Sequence, residues 1–115
     1  PFYDMEKFYK KKCIAHDNNT IPFDKSEISK YQKKIDGWDL KDNKEKNYYL
    51  EKKFKFKNFI DSQKFINKIC VIAEREGHHP DIYFGWGFAK IKIFTHTIKG
   101  LVESDFILAA KIDQI

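Results

Sequence analysis

Cysteine and arginine are scarce here, and long apolar runs are missing. Only Cys13 and Cys70 occur, far apart, so no disulfide framework is expected and a reducing compartment, the cytoplasm, fits best. Arg75 is the only arginine in a Lys+Arg total of 22, against 17 Asp+Glu. Bidentate phosphate and base recognition lean on arginine, so a lysine excess spread from Lys7 to Lys111 reads as solvated surface rather than a nucleic-acid interface. No stretch approaches the ~18–20 apolar residues of a membrane span. Pro1 to Lys12 is aromatic and basic, without the apolar run of a secretory signal.

Aromatics are plentiful, with 11 Phe, 6 Tyr and 2 Trp in 115 residues. That excludes global disorder, and the length predicts one domain with a real core. Residues 1–23 show no usable period and are read as a loosely docked arm. The domain is expected over 24–115.

Asp24 to Ile35 reads as a helix, with Asp24 or Ser26 as cap and Ile28, Tyr31 and Ile35 on one stripe. Gly37 ends it. Trp38 to Leu40 opens a strand, Asp42-Asn43-Lys44 turns, and Tyr48 to Lys57 alternates. Tyr48, Leu50, Phe54 and Phe56 share one face of that strand; Lys52 interrupts the face and is read as reaching an edge. Asn58 caps a long helix to Glu76, whose buried face should be Phe65, Ile66, Ile69, Cys70, Ile72 and Ala73. Gly77 stops it. Ile82 to Trp86 and Ala89 to Thr95 form the second strand pair, and Glu103 to Ile115 the last helix. The order α-β-β-α-β-β-α, with strands in hairpin pairs, predicts an α+β two-layer sandwich: a four-stranded antiparallel sheet with three helices on one face.

His16 stands alone in the arm. His78, His79 and His96 instead gather around one hairpin, each beside the end of a regular element, where functional groups commonly sit. Several imidazoles in one place suit acid–base catalysis near neutral pH. They also suit a zinc site of His78, His79, His96 and Asp105, or a set of structural histidines. Neighbouring side chains such as His78 and His79 diverge, which counts against one metal. Glu74 precedes His78 by one helical turn and is read as orienting it. Asp105 reads first as a carboxylate favoured by a helix N-terminus, and only second as part of the site. Trp86 is read either as core or as a flat surface beside a ligand.

The run Glu74-Arg75-Glu76-Gly77-His78-His79-Pro80, followed by Trp86, His96 and Asp105, resembles the signature of the pterin-4a-carbinolamine dehydratases. The resemblance extends more weakly to the whole chain from about Asp24. It implies the same antiparallel fold and a metal-free, cofactor-free hydro-lyase. That enzyme dehydrates 4a-hydroxytetrahydropterin to quinonoid dihydropterin in tetrahydrobiopterin recycling. It further implies that His78, His79 and His96 line the pterin site, with His78 and His96 as the acid–base pair and His79 orienting substrate. Gly77, Phe94, Thr95 and Thr97 would contact the pterin, and Glu74, Trp86 and Asp105 would support the site. Relatives form homodimers and homotetramers, and some act as dimerisation cofactors for a transcription factor. A binding role as coactivator, in the nucleus as well as the cytoplasm, is therefore the alternative, its residues expected on the helix face from Phe65 to Ala73. One departure stands out. Val102 occupies a position where relatives often carry a capping Ser, so the last helix could begin at Ser104 or lose about 1 kcal/mol.

Overall fold

Alternation and capping place the elements almost where the sequence predicts them. The computed structural model describes residues 7–45 and 47–115; the first six residues of the predicted arm lie outside these. The elements are α1 (Lys25–Gln32), β1 (Asp39–Asp42), β2 (Tyr48–Lys55), α2 (Phe59–Glu76), β3 (Asp81–Gly85), β4 (Phe88–Ile93) and α3 (Glu103–Ile112). The four strands form one antiparallel sheet in the order β1-β2-β4-β3. Leu50 pairs with Ile93, and Ile82 with Ile91, so the apolar faces of the strands coincide. The predicted two-layer α+β architecture is the observed one. Among the described residues, no helix is long and apolar enough to cross a membrane.

The core lies between this sheet face and the helices. Leu50, Ile91, Ile93, Ile69, Phe106 and Leu108 are fully buried in it. The opposite sheet face is polar, and its lysines lie over aromatic rings, such as Lys92 at 4.2 Å from the Tyr49 ring centroid. Such stacking keeps the ammonium groups wet while their stems cover apolar surface.

Helix α1 carries a reciprocal cap. The Glu27 N–H donates to Asp24 at 2.9 Å, and the Asp24 N–H to Glu27 at 3.2 Å. It ends at Gln32 rather than Ile35, because Lys34 and Ile35 bond back three residues in a tightened turn. Ile35 still reaches the core.

Lys52 does not reach an edge. Strand β2 is internal, paired on both sides, and Lys52 points with the apolar face. Its ammonium donates to the Asp36 carbonyl and to Asp113 Oδ1, both at 2.8 Å. Asp113 also accepts from Trp38 Nε1 at 2.9 Å. Burial pushes the Asp113 carboxyl above its ordinary value, with Lys52 and the Trp38 donor opposing the rise.

Cys70 is exposed rather than buried. The buried stripe of α2 runs through Ser62, Ile66, Ile69 and Ala73, and Cys70 falls one position off it, about 100° round the helix. Phe65 and Ile72 flank the stripe and pack against the core.

The described part of the arm is held more firmly than a loosely docked segment. Helix α3 is apolar on every side, with Phe106 to Ala110 all buried, and something must cover its outer face. The arm does so. Phe8 enters the core, Lys111 donates to the Tyr9 carbonyl at 2.8 Å, and Ile14 exchanges two hydrogen bonds with the Ser104 hydroxyl at 2.8 and 3.1 Å. The Cys13 N–H donates to Glu76 at 3.0 Å. Burial alone would raise the Glu76 carboxyl, but the Cys13 N–H, Lys111 and Arg75 hold it below its usual value.

Candidate functional site

The ends of three elements converge on one spot, and each is fixed by local chemistry. Helix α2 stops at Gly77, which adopts φ 65° and ψ 27°, a left-handed conformation that glycine takes without a Cβ penalty. The His78 N–H then closes back on the Ala73 carbonyl at 3.2 Å. This reversal turns His78 inward, toward the start of α3, and leaves His79 exposed, just before β3. Strand β4 runs past its end into Phe94-Thr95-His96, where a bridge between Thr95 and Gly100 shuts the loop. Helix α3 begins beside both.

Asp105 joins the three. It is fully buried. Its Oδ1 lies 2.7 Å from His78 Nε2, and its Oδ2 accepts from the Thr95 hydroxyl at 2.8 Å and the Val102 N–H at 2.9 Å. A carboxylate only accepts, so His78 donates from Nε2 and keeps Nδ1 as its basic nitrogen. Among the described residues, every buried polar side-chain atom has a partner. The pairing differs from the expected one. Asp105, read first as a helix-terminus charge, holds His78, while Glu74 pairs with His79 at 2.9 Å on the exposed side. Asp105 also answers the question raised by Val102. Valine offers no side-chain acceptor, yet α3 starts at Glu103 because Asp105 bonds the Val102 N–H and returns its own N–H to the Val102 carbonyl at 3.1 Å.

His96 packs on Phe94 with the rings tilted and their centroids 4.2 Å apart, and its Nε2 lies 3.4 Å from Asp81 Oδ1. His78, His79 and His96 share a recess of about 170 Å³ with Gly77, Thr95 and Thr97. Thr95 gives that recess a wall rather than a free donor, because its hydroxyl, amide and carbonyl are all engaged. Phe94 lies on the other side of His96, in a neighbouring recess of about 360 Å³ with Tyr48, Tyr49 and Lys92. A larger hollow of about 680 Å³ between the arm and Lys52 contains no imidazole. Trp86 is not brought to the site within this chain. It sits at the β3–β4 turn, the far end of the hairpin from His96, 69 % exposed.

One group in the recess escaped the sequence reading: His16, together with Ala15, lines it from the arm. No local pattern announces this, since the contact depends on where a distant segment is tied down. Asp105 did leave a signal, as a carboxylate with Ser104 before it and the apolar run Phe106 to Ala110 after it.

A family model described as pterin 4 alpha carbinolamine dehydratase matches residues 21–115. The chain belongs to the pterin-4a-carbinolamine dehydratase family. A relative from Rubrobacter xylanophilus whose name places it among these dehydratases is 38% identical over 96% of this chain and 100% of its own length. One from Alkaliphilus metalliredigens, named likewise, is 42% identical over 96% of each. Among solved structures, the transcriptional coactivator/pterin dehydratase from Brucella melitensis is similar with a TM-score of 0.73 and 26% identity, covering 82% of this chain and 97% of that one. A pterin dehydratase-like protein described as a RuBisCO assembly factor in the alpha-carboxysome is similar at a TM-score of 0.58 and 25% identity, over 68% and 87%. Membership of a dehydratase family implies a pterin substrate, while the carboxysome protein shows a similar fold put to another use.

Proposed function

We propose that the chain dehydrates 4a-hydroxytetrahydropterin to quinonoid dihydropterin and water by histidine acid–base catalysis, as a hydro-lyase of tetrahydrobiopterin recycling. The observation that carries this reading is the His78–Asp105 pair at 2.7 Å beside His79 and His96 in one recess, in a chain of this family.

The reaction breaks the bond between C4a and its hydroxyl oxygen. The oxygen takes the bonding pair and one proton and leaves as water. The ring nitrogen forms the C=N bond and gives up its own proton. One proton is delivered and one removed, so the step is redox-neutral and calls for no redox cofactor. His78 suits the removal: its tautomer is fixed by Asp105, and the buried carboxylate offsets the charge of the imidazolium as it forms. His96, more open to solvent, suits delivery to the departing hydroxyl. His79 orients substrate, braced by Glu74. A positioned proton-transfer group contributes ~10²–10⁴ in rate.

The test is stopped-flow dehydration of 4a-hydroxytetrahydropterin generated in the cuvette. His78→Ala and His96→Ala should each lower turnover, and the double variant should lose nearly all of it, while His79→Ala should act mainly on KM. A wild-type chain that does not accelerate the spontaneous dehydration would overturn the proposal.

A binding role is the second reading, favoured by the paired description of the Brucella protein as coactivator and dehydratase. Most of the face first expected for it is occupied, because Phe65, Ile66, Ile69, Ile72 and Ala73 pack toward this chain's own core. Phe59, Ile60 and Val71 are the exposed apolar residues of α2. A second copy in a homodimer or homotetramer, or a transcription factor, would meet those side chains. Retention of the cellular function by a turnover-dead His78→Ala protein would favour this reading.

A further inference from the structure

We propose that residues 13–16 form a strap that completes the substrate recess, with His16 as a fourth imidazole contacting the bound pterin ring. The inference rests on the dehydratase reading, and concerns a segment lying outside residues 21–115 matched by the family model.

The strap is tied to the elements that build the site. Cys13 bonds Glu76, the residue before Gly77 and His78. Ile14 bonds Ser104 in both directions, the residue before Asp105. The helix ends that present the His78–Asp105 pair therefore also fix the arm. Beyond His16 the chain turns sharply, with the Asn19 N–H on Asp17 Oδ1 at 3.0 Å and the Thr20 N–H on the Asp17 carbonyl at 3.2 Å. It is clamped again where the Phe23 N–H donates to the Leu101 carbonyl at 2.7 Å. Pro22 packs so closely on Gly100 that a Cβ there would fall 2.6 Å from the proline ring. With anchors on both sides, Ala15 and His16 form one wall of the recess that His78, His79 and His96 also line.

Anchored on both sides but outside the His78–Asp105–Thr95 network, His16 is a substrate-binding residue. It contacts the substrate in ground and transition state alike, and so acts on affinity more than on turnover. Loss of one hydrogen bond of ordinary strength should weaken substrate binding about five- to ten-fold.

The experiment compares kcat and KM for wild type, His16→Ala, His16→Gln, Ala15→Trp and the exposed-arm control Lys12→Ala. Binding of 7,8-dihydropterin is followed by histidine ¹⁵N NMR, with circular dichroism confirming each fold. The expected result is a five- to ten-fold rise in KM for His16→Ala with a smaller change in kcat, partial recovery in His16→Gln, and no change in Lys12→Ala. Ala15→Trp should fill the recess and lower 7,8-dihydropterin affinity at least tenfold, and the His16 ring signals should move when the pterin is added. An active wild type whose His16→Ala and Ala15→Trp variants keep KM within two-fold, with unmoved His16 signals, would overturn the strap and leave the dehydratase reading standing. A wild type that neither accelerates dehydration nor binds 7,8-dihydropterin would overturn both.

Discussion

Replacing Asp105 with Asn tests the proposed chemistry at its most constrained point. The carboxylate accepts three hydrogen bonds, at 2.7 Å from His78, 2.8 Å from Thr95 and 2.9 Å from Val102. Asn is nearly isosteric but has one acceptor oxygen and an NH₂ group. If that oxygen keeps Thr95 and Val102, the NH₂ faces His78 Nε2. His78 must then accept there, and its proton moves to Nδ1, the nitrogen assigned to take the substrate proton. The ring stays in place with its roles exchanged. A comparable tautomer error in serine-hydrolase triads costs ~10⁴ in kcat, and a positioned base is worth ~10²–10⁴, so kcat should fall within that range. The structural cost is smaller. All three bonds lose their charge assistance, and the second N–H of the buried amide finds no acceptor among these partners, so unfolding free energy should drop by about 1–3 kcal/mol and the melting midpoint by several degrees. Asp105→Ala, by contrast, strands the buried Thr95 and Val102 donors and should destabilise more. Stopped-flow turnover and thermal melts on the same samples separate the two effects. A folded Asp105→Asn protein with kcat within two-fold of wild type would refute the argument that Asp105 sets the His78 tautomer.

Other outcomes follow from the same structure. Because burial raises the Asp113 carboxyl in the folded state, the native protein holds that proton more tightly than the unfolded chain. The contribution is present below the unfolded carboxylate value and is lost as pH rises through the raised folded one. Wild type should therefore gain stability relative to Asp113→Asn as pH falls from 7 towards about 4; urea midpoints along that series check the sign, and a gap that moves the other way would sink it. Burial, and then the Glu76 charge, push the Cys13 thiol up to about 12, whereas Cys70 is exposed. Maleimide under native conditions should label Cys70 quickly and leave Cys13 intact, as peptide mass mapping would show. Since His78, His79 and His96 each direct Nε2 to a different carboxylate, chelator treatment should leave turnover unchanged; activity lost with EDTA and restored by zinc would contradict that.

Periodicity and punctuation were enough to specify the architecture. Alternation from Tyr48, the apolar stripe from Ile66 to Ala73 and the breaker Gly77 fixed the elements, because burying one face of each leaves few ways to stack them. The joint spacing with Asp105 spoke through the family resemblance, and the clustering of His78, His79 and His96 around one hairpin was equally legible, since each lies within a few residues of an element boundary. The partnerships among these residues were not. Glu74 is one helical turn from His78, yet Asp105 holds it, because the α2 reversal at Gly77 carries the imidazole toward the start of α3. Lys52 sits on an apolar face because the fold brings Asp113 and the Asp36 carbonyl to it, both distant in sequence. Cys70 turned on a rotation of 100°, finer than an apolar count resolves. His16 offered no pattern at all. Its place beside His78 comes from hydrogen bonds between the arm and Glu76 and Ser104, contacts between segments whose separation along the chain carries no periodic signal. Local sequence specifies what each segment becomes; which side chains then meet is decided by packing, because long-range contacts depend on the position of every element at once.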